Sequence, residues 1–559
     1  MNKPPQWIFR PLLLLSVVQA TNSELLVTLN NPPSSTVRGH YETSYHGNRY
    51  RAFYEIPYAS PPIGPLRYKE PVPAKPWNGV KGHPGPITMC PQDPLLNNTI
   101  NVGTEDCLIL NVYTPAKPSA KKLPVLLWIH GGGFIAGSNF FVWGLALGRY
   151  DPRYLIDEDI VIVTANYRLG PLGFLTTTDG VIPVNLGLKD QRLAIYWVKD
   201  NIELFGGDPN NIVLAGESAG AASVGYHLIA TYKDLPIEGA ILVSGSALCP
   251  WSYQTKAREN AFELARTLDS TFKSNRSEDL LKLLQSATVQ QIMQSTGYRH
   301  SQGGQTFNGA LPLAWVPTIE QGDHFFSLPQ TDAIDNGKFK KIPLLMGFNE
   351  EDAINPIITG NYVQKSLAWD EHPDWMLFEN IKISSENKKE LARKLKALYT
   401  NTSFKEDVPS VIKVVTDSVI AMPVIRFAES ASKHAPVYMF MTSQTFMKHP
   451  VPGIEGVGHG EDMYYYWFNE LITLTPNFEP TRTRFVKMIS NFVKYKKPIP
   501  DAETRELFDN ITWPEVKPGN ISYITVGSEA TEVRNDPRNY SKVKKLLDSY
   551  LEKPVTVYL

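Results

Sequence analysis

Gly216-Glu217-Ser218-Ala219-Gly220 follows a short apolar run, Ile212-Val213-Leu214-Ala215, and leads into Ala221-Ala222-Ser223-Val224. The pattern predicts a strand, a tight turn and the start of a helix. Glycines two before and two after the serine leave room for the backbone to fold back, and a serine on such a turn stands exposed above a sheet edge. The N-terminus of the following helix then points its N–H groups at charge developing beside the hydroxyl. Small residues and serine also meet in this spacing by chance, so the surrounding chain carries much of the weight.

Upstream, Val125-Leu126-Leu127-Trp128-Ile129 is wholly apolar and of strand length, as in a central strand covered on both faces. His130-Gly131-Gly132-Gly133-Phe134 ends it. Three glycines directly after a buried strand fit a loop whose bare N–H groups converge on one spot. His130 reads as a packing or hydrogen-bonding residue. Ile160 to Ala165 is a second buried strand, and Gln191 to Leu204 an amphipathic helix stopped by Gly206-Gly207-Asp208-Pro209. Downstream, Ile237 to Val243 and Ile342 to Gly347 continue the strands, and Pro436 to Met441 is the last clear one. This alternation predicts an α/β fold with a large, mostly parallel central sheet flanked by helices. Residues 253–340 carry helical patterns between strands, which suits helices inserted above the sheet's carboxyl edge. Later helices are predicted at Arg484 to Tyr495 and Ser541 to Leu551.

At 559 residues the chain is long enough for several domains. Strands occur on both sides of the helical insertion, and no linker or repeat intervenes, so 21–559 reads as one elaborated domain. A net charge of −1 provides no global field toward nucleic acid or an anionic membrane. Residues 1–20 read as a secretory signal peptide: Lys3 and Arg10 are basic, Pro11 to Val18 is mostly leucine and valine, and Val18-Gln19-Ala20 offers small residues for cleavage. No later apolar stretch reads as a membrane span. Six glycosylation sequons, at Asn97, Asn275, Asn401, Asn510, Asn520 and Asn539, fit the secretory pathway. Of three cysteines, Cys90 and Cys107 bracket a polar loop and form the natural disulfide pair, which leaves Cys249 as a buried thiol among apolar neighbours.

Serine is a poor nucleophile at neutral pH without a base in reach and an acid to orient that base. After a serine on such an elbow, the acid follows just past a later strand and the histidine comes last. His372, His434, His449 and His459 lie past the strand ending at Met346. His459 stands in Gly456-Val457-Gly458-His459-Gly460, where small neighbours let an imidazole project from a loop, and an aromatic helix, Tyr464 to Phe468, is expected after it. His449 is the other candidate base. The acid falls within Glu350-Glu351-Asp352, of which one is expected to reach the histidine and at least two to form a solvated turn.

Taken together, these motifs resemble those of the type-B carboxylesterases, the serine hydrolase family that includes cholinesterases and insect esterases. The resemblance covers nearly the whole mature chain. It runs from Ile56-Pro57-Tyr58-Ala59 through Glu105-Asp106-Cys107-Leu108, Gly131-Gly132-Gly133-Phe134, Asn166-Tyr167-Arg168-Leu169-Gly170, Asp190-Gln191 and Phe205-Gly206-Gly207-Asp208-Pro209 to Gly216–Gly220 and Gly458-His459. It implies an α/β-hydrolase fold with helical insertions over an active-site gorge, Ser218 as nucleophile and His459 as base. It also implies an oxyanion hole from the N–H groups of Gly132, Gly133 and Ala219, a Cys90–Cys107 disulfide, and structural ion pairs Arg67–Glu105 and Arg168–Asp190. The family's acid is usually Glu followed by Gly; here that register falls on Asp352, followed by Ala353, with Glu351 as the alternative if the turn is shifted.

Two departures bear on substrate. Residues 91–106, where cholinesterases carry a cation-binding Trp, contain no aromatic residue, so the cation–π seat for choline is missing. The acyl-pocket segment is Leu313-Ala314-Trp315, where Trp315 either narrows the substrate pocket or packs in the core. The expectation is a secreted serine carboxylesterase acting on a small-molecule ester through an acyl-enzyme, with no metal or organic cofactor, as a monomer or homodimer. The rivals are a non-catalytic adhesion or binding protein of the same fold, against which the presence of Ser218, His459 and the glycine loop argues, and a specialised hormone or pheromone esterase, which differs only in substrate.

Overall fold

The computed structural model describes residues 25–551 except 83–87, 93–102, 118, 143–147, 233, 303–312, 321–324, 356–360, 378–382, 450–452, 471, 473 and 528–531. The amino-terminal stretch read as a signal peptide and the sequon at Asn97 lie outside the described residues.

Thirteen strands form one sheet. They are β1 (Leu25–Thr28), β2 (Thr36–Thr43), β3 (Arg49–Pro57), β4 (Val80–Lys81), β5 (Ile109–Pro115), β6 (Leu123–Ile129), β7 (Val161–Ala165), β8 (Gly207–Glu217), β9 (Gly239–Val243), β10 (Leu344–Asn349), β11 (Val437–Thr442), β12 (Ser522–Val526) and β13 (Glu532–Asn535). In space the order is β1-β2-β3-β5-β7-β6-β8-β9-β10-β11-β12-β13, with β4 beside β2. The run from β7 to β12 is parallel throughout. Antiparallel strands flank it on both sides.

The all-apolar strands of the sequence lie where both faces must be dry. Val125, Leu127 and Ile129 of β6 face one core, and Leu126 and Trp128 face the other. Helix α1 (Leu186–Asn201) and helix α2 (Ala219–Ile229) cover the first face; helix α3 (Glu479–Tyr495) covers the second with Phe485, Met488, Ile489 and Phe492. Removing such side chains from water on both faces is the dominant favourable term for a sheet of this kind.

Several boundaries differ from the sequence-based expectation. Helix α1 begins at Leu186 rather than Gln191 and passes into a 3₁₀ turn at Ile202–Phe205 that ends on Gly206, whose φ of 90° a glycine adopts without strain. Strands β12 and β13 follow Pro436 to Met441, which is therefore not the last strand of the sheet. The aromatic segment after His459 is a 3₁₀ turn at Glu461–Tyr465, not a helix over 464–468. Among the described residues, one helical stretch, 408–431, is long and apolar enough to cross a membrane, contrary to the sequence-based expectation. It packs instead as a core helix, with 83% of its apolar window buried inside the protein.

Candidate active site

Strand β8 delivers Glu217 to the sheet's carboxyl edge, and the chain reverses at Ser218 into α2. Ser218 has φ 56° and ψ −122°, a conformation that costs a non-glycine residue free energy and that its surroundings must hold in place. Its N–H bonds the Val243 carbonyl at the end of β9. A β-carbon on Gly216 would stand 2.4 Å from the carbonyl carbon of Gly220, and one on Gly220 would stand 2.1 Å from the Ile129 oxygen. The two glycines are thus required by close backbone contact at the crossing of β6, β8 and α2.

Ser218 Oγ lies 2.8 Å from His459 Nε2, and His459 Nδ1 lies 2.9 Å from Asp352 Oδ1. Asp352 is fully buried just beyond β10. Its second oxygen accepts from the Asn349 N–H at 2.9 Å and from Ser244 Oγ at 3.1 Å, and its carbonyl accepts the His459 N–H at 3.1 Å. Glu351, the alternative acid, turns away: its Oε2 accepts from Thr416 Oγ1 at 3.3 Å and pairs with Arg538 at 3.4 Å. His449, the alternative base, stands with Nε2 2.9 Å from Glu461 Oε1, an oxygen that also accepts the Gly458 N–H.

The glycine loop packs against this group. A β-carbon on Gly131 would meet the Glu217 carboxylate at 2.6 Å and Ser218 Cβ at 3.0 Å. Gly132 and Gly133 have φ values of 106° and 63°, and Ala219 opens α2 directly after the serine. Leu313 lies beside Gly133, its Cδ1 3.4 Å from where a β-carbon on that glycine would stand. Trp315 is fully buried in the core. His130 stacks on Tyr167, and its Nδ1 is 2.8 Å from the Gly131 carbonyl.

Two carboxylates near Ser218, His459 and Asp352 had no role in the sequence-based expectation. Glu217 Oε1 lies 3.2 Å from His459 Nε2, and Asp462 bonds Asn349 Nδ2 at 2.7 Å and Tyr466 OH at 2.9 Å. Burial pushes Glu217 well above the usual carboxylate range and raises Asp462 to about 6. Burial alone would lower His459, but Glu217, then Asp352, outweigh it and hold the imidazole above its ordinary value. Glu217 and His459 therefore compete for one proton, and their titrations are coupled. Glu217 adjoins the serine and Asp462 stands three residues after the histidine, so proximity in the chain was the available signal.

The disulfide Cys90–Cys107 is formed. Cys249 is buried, and burial pushes its thiol up to about 12, which suppresses the thiolate. Both ion pairs implied by the resemblance are present and bidentate: Arg67–Glu105 at 2.6 and 2.7 Å, and Arg168–Asp190 at 2.6 and 2.8 Å. Asn275, Asn401, Asn510, Asn520 and Asn539 are all exposed.

A large parallel sheet with a strained serine between strand and helix defines an α/β-hydrolase. The sequence profile of the carboxylesterase family matches residues 23–543; the chain belongs to that family and is a carboxylic ester hydrolase. Among its relatives, a carboxylic ester hydrolase of Bombus ignitus is 32% identical, covering 77% of this chain and 78% of its own length. Esterase FE4 of Myzus persicae is 31% identical over 89% of this chain and 90% of its own. Venom carboxylesterase-6 of Apis mellifera is 28% identical over 92% of each.

Proposed function

We propose that ester hydrolysis runs through an acyl-enzyme on Ser218, with His459 as general base, Asp352 as its orienting acid, and the N–H groups of Gly132, Gly133 and Ala219 as oxyanion hole. The 2.8 Å approach of His459 Nε2 to Ser218 Oγ carries this reading. Ser218 Oγ attacks the ester carbonyl carbon while Nε2 accepts its proton. The carbonyl π pair moves onto oxygen, where the three N–H groups receive it; loss of one such donor costs about 3–4 kcal/mol in comparable sites. The tetrahedral intermediate collapses, the alkoxide leaves with the proton from His459, and an alcohol departs. Water then repeats the sequence on the acyl-enzyme: His459 takes its proton, hydroxide adds, and the carboxylic acid leaves as Ser218 regains its hydrogen. Asp352 accepts from Nδ1–H and so holds the histidine in the tautomer that leaves Nε2 free to take the serine proton.

The substrate is a small ester with an uncharged alcohol group, because residues 91–106 lack an aromatic seat for a quaternary ammonium. Leu313, beside Gly133, borders the acyl group. The protein enters the secretory pathway through the 1–20 leader and acts extracellularly; the disulfide, the exposed sequon asparagines and the kinship with a venom carboxylesterase support this. A short p-nitrophenyl ester tests the catalytic reading: Ser218→Ala keeps the fold and loses hydrolysis, and an organophosphate labels the wild type but not the variant. Retained turnover in Ser218→Ala overturns it. A glycosidase-induced drop in apparent mass of the secreted protein tests the processing.

A further inference from the structure

The residues on either side of Asp352 are gripped from outside the triad. Thr416 Oγ1 accepts the Ala353 N–H at 3.1 Å and donates to Glu351 Oε2 at 3.3 Å. Arg538 bonds the Glu350 carbonyl, Asp417 Oδ1 and Glu351 Oε2. The other Asp417 oxygen accepts from Tyr399 OH at 2.7 Å. Thr416 and Asp417 sit where the long core helix widens into a π turn at Asp417–Ala421, a local irregularity that recurs at functional sites. Arg538 itself has φ 55°, so the backbone is bent to bring this guanidinium inward. The same grip reaches the histidine loop: Glu351 N–H bonds the Val457 carbonyl at 3.0 Å, and a β-carbon on Gly456 would stand 2.8 Å from Glu351 Cγ.

We infer that Thr416 and Arg538 are positioning residues, which clamp residues 350–353 and thereby set how firmly Asp352 holds His459. Neither touches the reacting atoms, and the inference rests on the triad proposed above. Glu350, Glu351, Tyr399, Lys413, Asp417, Tyr523, Arg534 and Arg538 are charged and titratable groups that act on the clamp. Asp352 meets His459 Nδ1 at 2.9 Å on a short side chain, so the placing of the backbone on either side of it decides whether that contact is made.

The experiment uses the full chain and Thr416→Val, which preserves shape and removes both hydrogen bonds. Turnover is normalised to active sites titrated with an organophosphate, so that a folding loss does not enter the rate. Thr416→Val is expected to lower kcat about tenfold with KM changed less than about twofold, the signature of a misplaced catalytic group rather than of lost binding. The acidic limb of kcat/KM should move to lower pH, because the Asp352 bond is one of the interactions that raise His459. Thr416→Ser should restore both, and Arg538→Lys should move both in the same direction as Thr416→Val. Wild-type kcat per site and an unmoved limb in Thr416→Val, with only its melting temperature lowered, overturn the clamp. Failure of the organophosphate to label the wild-type protein overturns the triad itself, a separate result.

Discussion

Glu217 Oε1 stands 3.2 Å from His459 Nε2, the same nitrogen that faces Ser218 Oγ at 2.8 Å. In the proposed mechanism, a buried carboxylate this close stabilises the imidazolium formed as the serine gives up its proton. It also raises the pH at which the free histidine becomes a base. Glu217→Gln removes the charge and keeps the shape. The acidic limb of kcat/KM is expected to shift to lower pH by about one unit, the low end for a neighbouring charge. A profile of kcat/KM against pH on a neutral ester checks the sign: a shift to higher pH is the wrong direction.

The two adjacent carboxylates give a sharp contrast. Asp352→Asn removes the acceptor that fixes Nδ1 as donor, and kcat is expected to fall on the order of 10⁴-fold, as when a serine protease triad loses its acid. Glu351→Gln, which still offers Thr416 an acceptor, is expected to cost less than about tenfold. Asp352→Glu should not match wild type, because the site is fully buried and both carboxylate oxygens are already engaged. Single-turnover rates on the three variants rank them.

Leu313 borders Gly133 and is only partly buried. If Leu313 borders the acyl group as proposed, Leu313→Ala makes room there, and the ratio of kcat/KM for a p-nitrophenyl hexanoate over the acetate is expected to rise about tenfold, within the range for an apolar pocket that gains room. An unchanged ratio places the acyl group elsewhere.

Arg168 and Asp190 form a buried pair, 3% and 0% exposed. Arg168→Met leaves the carboxylate dry and unpaired, and destabilisation of about 3–5 kcal/mol is expected. Denaturant or thermal unfolding followed by tryptophan fluorescence measures it. The double substitution Arg168→Met/Asp190→Leu should recover much of the loss, because the penalty lies in the orphaned charge.

The central strands, the glycine loop and the elbow were legible because they are governed by local rules. Wholly apolar five-residue runs predict strands covered on both faces, and Gly216 and Gly220 are needed at contacts no side chain tolerates. What escaped depended on distant parts of the chain. The register of the resemblance pointed to Asp352 but left Glu351 open as the alternative; Thr416 and Arg538, both distant in the chain, hold Glu351 away from the histidine. Strand β12 is short and carries Ser522, Tyr523 and Thr525, which read as surface until β11 and β13 enclose them. The segment after His459, expected as a helix over Tyr464 to Phe468, is instead a 3₁₀ turn at Glu461–Tyr465, which Gly460, at φ 78°, starts.

Ser218 and His459, the proposed nucleophile and base, are separated by 241 positions in the chain. During synthesis the strand bearing Ser218 can be complete while its imidazole partner is still inside the ribosome, so a half-made polypeptide carries an inert hydroxyl. Competence to cleave an ester arrives only when the late loops dock onto the early sheet. On that reading, a truncation ahead of residue 459 should silence ester turnover even where most of the sheet survives.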